Sequence, residues 1–137
     1  NLYSEYNTLN IDQYQGESWF EDVRYKEIQV PSQTLDAFVG THNGKIDVIK
    51  LDVEGAEDLA ISGGLKYLKD NNPVLIMEFL GSDRGNHAHI RAVEQMRSVG
   101  FQAYHITESG ELLKLERIAP FLQSNGIDSD NIVFKKG

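Results

Sequence analysis

The sequence predicts an α/β fold whose sheet is parallel at its centre. Three observations carry this reading. Strand-type and helix-type runs alternate from Arg24 onward, the pattern of helices packed over a mostly parallel sheet. Two runs, residues 46–53 (IDVIKLDV) and 74–79 (VLIMEF), place apolar residues on both parities, as strands covered on both faces do. Glycine, proline and asparagine punctuate the intervals between runs, which keeps the connections short and the crossovers right-handed. At 137 residues the chain fits one domain that buries roughly two thirds of its unfolded surface.

Residues 1–22 are polar with scattered aromatics and no sustained period, and are expected to form an irregular N-terminal arm. Trp19, Phe20 and the tyrosines there read as packing groups before site groups. Residues 25–30 read as a strand closed by Pro31, and residues 33–39 as a short helix or turn ending near Gly40. The strand 46–53 follows, then a helical segment from about Ala56, interrupted at Gly63 and Gly64 and resumed over residues 66–69. Pro73 opens the strand 74–79. A helix is predicted over residues 87–99, with Asn86 as its N-cap, Gly100 as its stop, and Ile90, Val93 and Met96 as its buried stripe. Residues 101–106 form the next strand, and residues 111–115 its partner across a turn at Ser109 and Gly110. Residues 118–123 make a short helix and residues 131–135 a last strand. The short-looped strands at the end are expected to add an antiparallel edge.

Charge and composition narrow the function. The formal net charge is −8, from 21 acidic and 13 basic residues with no Lys/Arg block, which argues against nucleic acid and anionic membrane surfaces as partners. The absence of cysteine removes disulfides, thiolate metal sites and a cysteine nucleophile together. No apolar run approaches the roughly 20 residues of a membrane span, and no signal segment opens the chain. A cytoplasmic protein is expected. The chain starts at Asn1 without an initiator methionine, so the domain is expected to continue upstream.

The informative stretch is IDVIKLDVEGAE, residues 46–57, where a strand breaks off into carboxylates. Ligands of open α/β sheets bind outside the carboxyl ends of the strands. Asp52 occupies such an end, and so does Glu78, the first charge after VLIM. On neighbouring strands they would stand about 4.8 Å apart and could address one small molecule. Strand alternation points Lys50, Asp52 and Glu54 to one face, and a lysine within a central strand requires a carboxylate or water. Glu57 and Asp58 open a helix, where acids offset the positive end of its dipole. His87 and His89 are two residues apart on a helix and so do not share a face, which argues against a metal pair and for solvent or capping roles. His105 reads as packing or surface, and Ser62 and Ser82 lack a GxSxG context.

The segment KLDVEGAE (residues 50–57), the downstream Gly64 and Leu68, and then PVLIMEF resemble the core signature of the FkbM-type methyltransferases, in which KxDxEGxE follows one strand and a (V/I)E pair ends the next. VPSQTLDAF, residues 30–38, is similar to that family's V-x-x-x-TLD-x-F segment. The resemblance spans residue 30 to about residue 79. It implies a class I methyltransferase (Rossmann-like) sheet with an antiparallel last strand, S-adenosylmethionine as cofactor, and O-methylation of a hydroxyl on a sugar or natural product. It further implies catalytic or acceptor-binding roles for Asp52, Glu54 and Glu78, with Asp52 leading, and substrate contacts for Lys50 and Glu57. Clustered oxygens at Glu54 and Glu78 would suit acceptor hydroxyls or a divalent cation, although no residue is assigned as a dedicated metal ligand. The family's cofactor-holding glycine-rich turn should precede this segment, yet no GxG occurs in the chain. Residues 23–137 therefore read as the C-terminal part of the domain, the rest being supplied upstream or by a second subunit, and the fragment alone is expected to be inactive. Two other classes fit in part: a non-catalytic interaction domain derived from a methyltransferase, and a phospho-acceptor receiver of flavodoxin-like topology.

Overall fold

A computed structural model describes residues 28–42 and 44–137, together with Gly16 and Ser18. The expected arm over residues 1–22, those two apart, lies outside the described residues, as do Tyr25, Lys26 and Glu27 of the first expected strand; residues 28–30 carry no strand. The chain then forms α1 (Leu35–Thr41), β1 (Val48–Leu51), α2 (Glu57–Ser62), α3 (Leu65–Asp70) and β2 (Val74–Leu80). A 3₁₀ turn (Ser82–Arg84) leads into α4 (His87–Ser98), β3 (Phe101–Ile106), β4 (Leu112–Leu115), α5 (Ile118–Asn125) and β5 (Ser129–Lys136).

Local chemistry sets these boundaries. Thr34 caps α1 by accepting the Ala37 N–H at 3.1 Å. Asp36, one turn into α1, reaches across to accept the Tyr67 N–H at 2.8 Å and the Lys66 N–H at 3.3 Å. It thereby caps α3, whose own flanking residue Gly64 has no side chain to offer. The position between α2 and α3 leaves little room for a side chain: a Cβ on Gly64 would lie 2.7 Å from Leu35 Cδ2 and 3.1 Å from Leu35 Cβ. Gly64→Ala is accordingly expected to lower stability by about 1–3 kcal/mol, since α1 must shift to make room; an unchanged urea midpoint would contradict it.

Strand β1 is shorter than the expected 46–53. The Ile46 N–H donates to the Tyr67 hydroxyl at 3.1 Å and the Ile46 carbonyl accepts from it at 3.4 Å, so this backbone is tied to a helix side chain instead of the sheet. The order across the sheet is β1-β2-β5-β3-β4. Strands β1 and β2 are adjacent and parallel, as the sequence implied, in the register Leu51↔Met77. Strand β5 runs antiparallel to both β2 and β3, so the last strand is antiparallel but interior, and β4 forms the antiparallel edge by pairing with β3. Parallel pairing among the described strands is confined to β1 and β2, which corrects the expectation of a parallel centre. An interior antiparallel strand also removes the receiver reading, which requires a doubly wound parallel sheet.

One face of the sheet holds the core. Leu75, Met77 and Phe79 of β2, Ile132 and Phe134 of β5, and Phe101 and Ala103 of β3 pack with Leu68, Ala92, Val93, Met96 and Leu122 of the helices in one cluster. The opposite parity is wetter: Ile76 and Glu78 are half-buried, and Val48 and Lys50 are exposed. Lys50 is thus on a partly solvated edge of the described sheet, not in a central strand, and its ammonium stands 3.4 Å from Asp52.

The buried stripe of α4 differs from the expected one. Ile90 is 39% exposed, whereas His89, Ala92, Val93 and Met96 are buried. These positions follow i, i+3, i+4, i+7, one helical face; counting the histidine as polar rotated the reading by one residue. Asn86 precedes the helix but does not cap it with its side chain, because its amide donates to the Leu80 carbonyl at 2.9 Å and fastens the end of β2.

Candidate functional site at the carboxyl edge of the parallel strands

Strand β1 ends at Leu51, opposite Met77, while β2 runs on to Leu80, so Glu78 lies inside β2, paired with Asn131, and not at the strand end that the sequence suggested. Asp52 and Glu78 are the next residues after the last Leu51–Met77 pair of this ladder. Asp52 is about half exposed and Glu78 half-buried. Beyond Asp52 the chain turns sharply through two left-handed residues, Glu54 at φ 49° and Gly55 at φ 92°. Glycine adopts that conformation freely, whereas a glutamate there is strained. Glu54 is half-buried in this turn, which leads into α2.

Glu57 is turned inward. It is 2% exposed, its Oε1 accepts the Gly55 N–H at 3.2 Å, and its Oε2 lies 3.6 Å from His89 Nε2. The helix-opening glutamate is thus a buried brace behind the edge. Asp58 beside it is paired at 2.7 Å with Arg91 of α4, which locks α2 against α4. His89 is the residue the sequence reading missed. It is 4% exposed, its ring meets Phe79 edge-on at 5.9 Å, and its place on the apolar stripe of α4 was the signal available. The expected solvent or capping role holds only for the exposed His87.

Burial pushes the His89 imidazole below its ordinary value of 6.5, against the opposing pull of Glu57, then Glu78, Asp52 and Asp58. The sign of the linkage follows. With the folded-state value lowered, the unfolded chain binds the proton more readily, so the stability present above about pH 6.5 is lost as pH falls below it. His89→Phe is expected to flatten this part of the profile. Urea midpoints measured at about pH 7.5 and about pH 5.5 test it, and equal pH sensitivity in both proteins would refute it.

A second pair lies toward the same end of the sheet. His105 Nδ1 and Asp130 Oδ2 are 2.7 Å apart, with the imidazole tilted against Phe121 at 4.8 Å, so the pair joins β3, β5 and α5. A cavity of about 350 Å³ opens between the β2–α4 and α5–β5 turns, lined among others by Gly81, Asp83, Leu122 and Asp128. Another, of about 370 Å³ and mostly apolar, lies between residues 32–35, β1 and α2, away from the carboxylates. Among the described residues no group of three or more His, Asp or Glu side chains has the geometry to hold a metal ion, and no helix is long and apolar enough to cross a membrane.

A mixed α/β sheet with a reversed interior strand, with Asp52 just past β1 and Glu78 within the adjacent parallel β2, is consistent with a methyltransferase-like domain. The family model described as Methyltransferase FkbM domain matches residues 1–103. The chain belongs to the FkbM methyltransferase family. The match extends beyond the motifs in both directions, from residue 1 to the start of β3. No curated protein and no solved structure matches the chain.

Proposed function

We propose that the protein is part of an S-adenosylmethionine-dependent O-methyltransferase that modifies a hydroxyl of a sugar or natural product. The observation that carries this is the placement of Asp52 just past the end of β1 and of Glu78 one residue beyond the paired Met77 in the adjacent parallel strand β2 in a chain of methyltransferase family. The donor supplies a methyl group made electrophilic by its sulfonium, and leaves as the neutral thioether. The residues of this chain fit the acceptor side of such a transfer. With no GxG turn in residues 1–137, the grip on the adenosyl group is assigned to upstream sequence or a second subunit.

Asp52 is the proposed general base. Its solvent-open carboxylate takes the acceptor proton as the oxygen forms its bond to carbon, a role worth typically about 10²- to 10⁴-fold in rate. Glu78 and Glu54 hold neighbouring hydroxyls and fix the attacking oxygen in line. Lys50, 3.4 Å from Asp52, offers a donor to the same acceptor. Glu57 contributes from behind by bracing the turn.

The experiment is calorimetry of S-adenosylmethionine with residues 1–137 and with a longer polypeptide that carries the upstream sequence. A labelled-methyl assay on the longer protein, over a panel of polyhydroxylated acceptors, accompanies it. Weak or no binding by residues 1–137, tight binding by the longer protein and label in an acceptor ether are expected. Tight binding by residues 1–137 would move the cofactor grip into this chain, and label on nitrogen or carbon would overturn the O-methyl reading.

A further inference from the structure

The acceptor chemistry leaves three features at the rear of the site unexplained. Glu57 and His89 have side chains only 3% and 5% exposed. Each carries a buried polar atom, Oε2 and Nδ1, with no hydrogen-bond partner among the described residues. In front of them, Glu54 and Gly55 are both left-handed, a pair that persists only where surrounding structure holds it, because the glutamate would relax to negative φ if released. One carboxylate connects these features: Glu57 accepts the Gly55 N–H through Oε1 and faces the His89 ring through Oε2.

We propose that His89 is a positioning residue which, acting through Glu57, holds the Glu54–Gly55 turn and so fixes the direction in which Asp52 and Glu54 leave β1. His89 is anchored for that task. Its helix is fixed in the core by Ala92, Val93 and Met96, and its ring is edge-on to Phe79. The 3.6 Å separation from Glu57 is beyond hydrogen-bond range but well within reach of charge–dipole attraction in a buried setting. The carboxylate therefore keeps one orientation and leaves Oε1 committed to Gly55. The acids whose charge acts on His89 are Glu57 and Asp58 from α2, Glu78 from β2 and Asp52 from the segment after β1. Of these, only Glu57 is both buried and bonded to the turn.

The kinetic half of this proposal rests on the acceptor-site reading given above; the structural half does not. Native-state amide exchange of the 137-residue chain measures the structural half. The Gly55 amide is expected to exchange about tenfold faster in both Glu57→Ala and His89→Phe, while the amides of Met77 and Phe134 keep their wild-type protection. The double variant should exchange no faster than either single one, since the two side chains act in series. His89→Gln, which keeps a polar group on the same helix face, is expected to recover part of the protection and guards against a phenylalanine variant that fails to fold. Unchanged Gly55 exchange in His89→Phe and His89→Gln, additive effects in the double variant, or equal acceleration of the core amides in every variant would overturn the proposal.

In the methyl-transfer assay, His89→Phe should lower kcat more than it raises KM for the acceptor. A wild-type protein that transfers no methyl group would sink the acceptor-site reading alone, and the exchange data would still decide whether His89 holds the turn.

Discussion

Phe134→Ala is expected to destabilise the protein by about 3–5 kcal/mol, the largest effect of any single truncation in the sheet. Phe134 is fully buried and stands in β5 opposite Leu75 on one side and Ala103 on the other. Removing its ring leaves a void bounded by two strands and a helix layer, where backbone hydrogen bonds on both sides prevent collapse. Against the roughly 5–15 kcal/mol that hold a typical domain together, the loss would bring the variant close to unfolding at room temperature. Urea denaturation followed by circular dichroism gives the number. A change below about 1 kcal/mol would mean that β5 does not organise the core.

Asp52→Asn is expected to reduce turnover by about 10²-fold or more in a polypeptide that binds the cofactor, with little change in cofactor affinity. The amide keeps the shape of the side chain but can neither accept the acceptor proton nor balance Lys50. Because Asp52 is half exposed, folding should be nearly unaffected, which separates the effect from that of Phe134. Steady-state kinetics with single-turnover controls check it, and undiminished turnover would remove Asp52 from the chemistry.

Much of this architecture was legible from local signals. The β3–β4 hairpin followed from its turn residues, and β2 from an apolar run opened by Pro73. The adjacency of β1 and β2, which places Asp52 and Glu78 next after the Leu51–Met77 pair, followed from both-parity hydrophobicity joined by a helical crossover. What escaped depended on partners far along the chain. Strand β1 starts late because Tyr67 captures the Ile46 backbone, and no local pattern announces that. Glu57 read as a dipole-offsetting acid at a helix start and as a substrate contact; its burial comes from the packing of α2 on α4, beside the Asp58–Arg91 pair. His89 was on the apolar stripe all along, and its polarity hid it. The interior place of β5 is a matter of topology, which the order of elements alone does not fix.

That interior place governs how the molecule must assemble. Strands β2 and β3 run in the same direction and are not paired; among the described strands only β5 is hydrogen-bonded to both, and it follows the other described elements in sequence. Until Ser129 onward leaves the ribosome, the nascent chain holds β1–β2 and β3–β4 as two separate ribbons, each with an open edge able to recruit a stranger. Closing the sheet then requires contacts between segments distant in sequence, the kind of pairing that slows folding. Among the described strands β5 works as a latch, and its loss would leave β1–β2 and β3–β4 without a hydrogen-bonded connection.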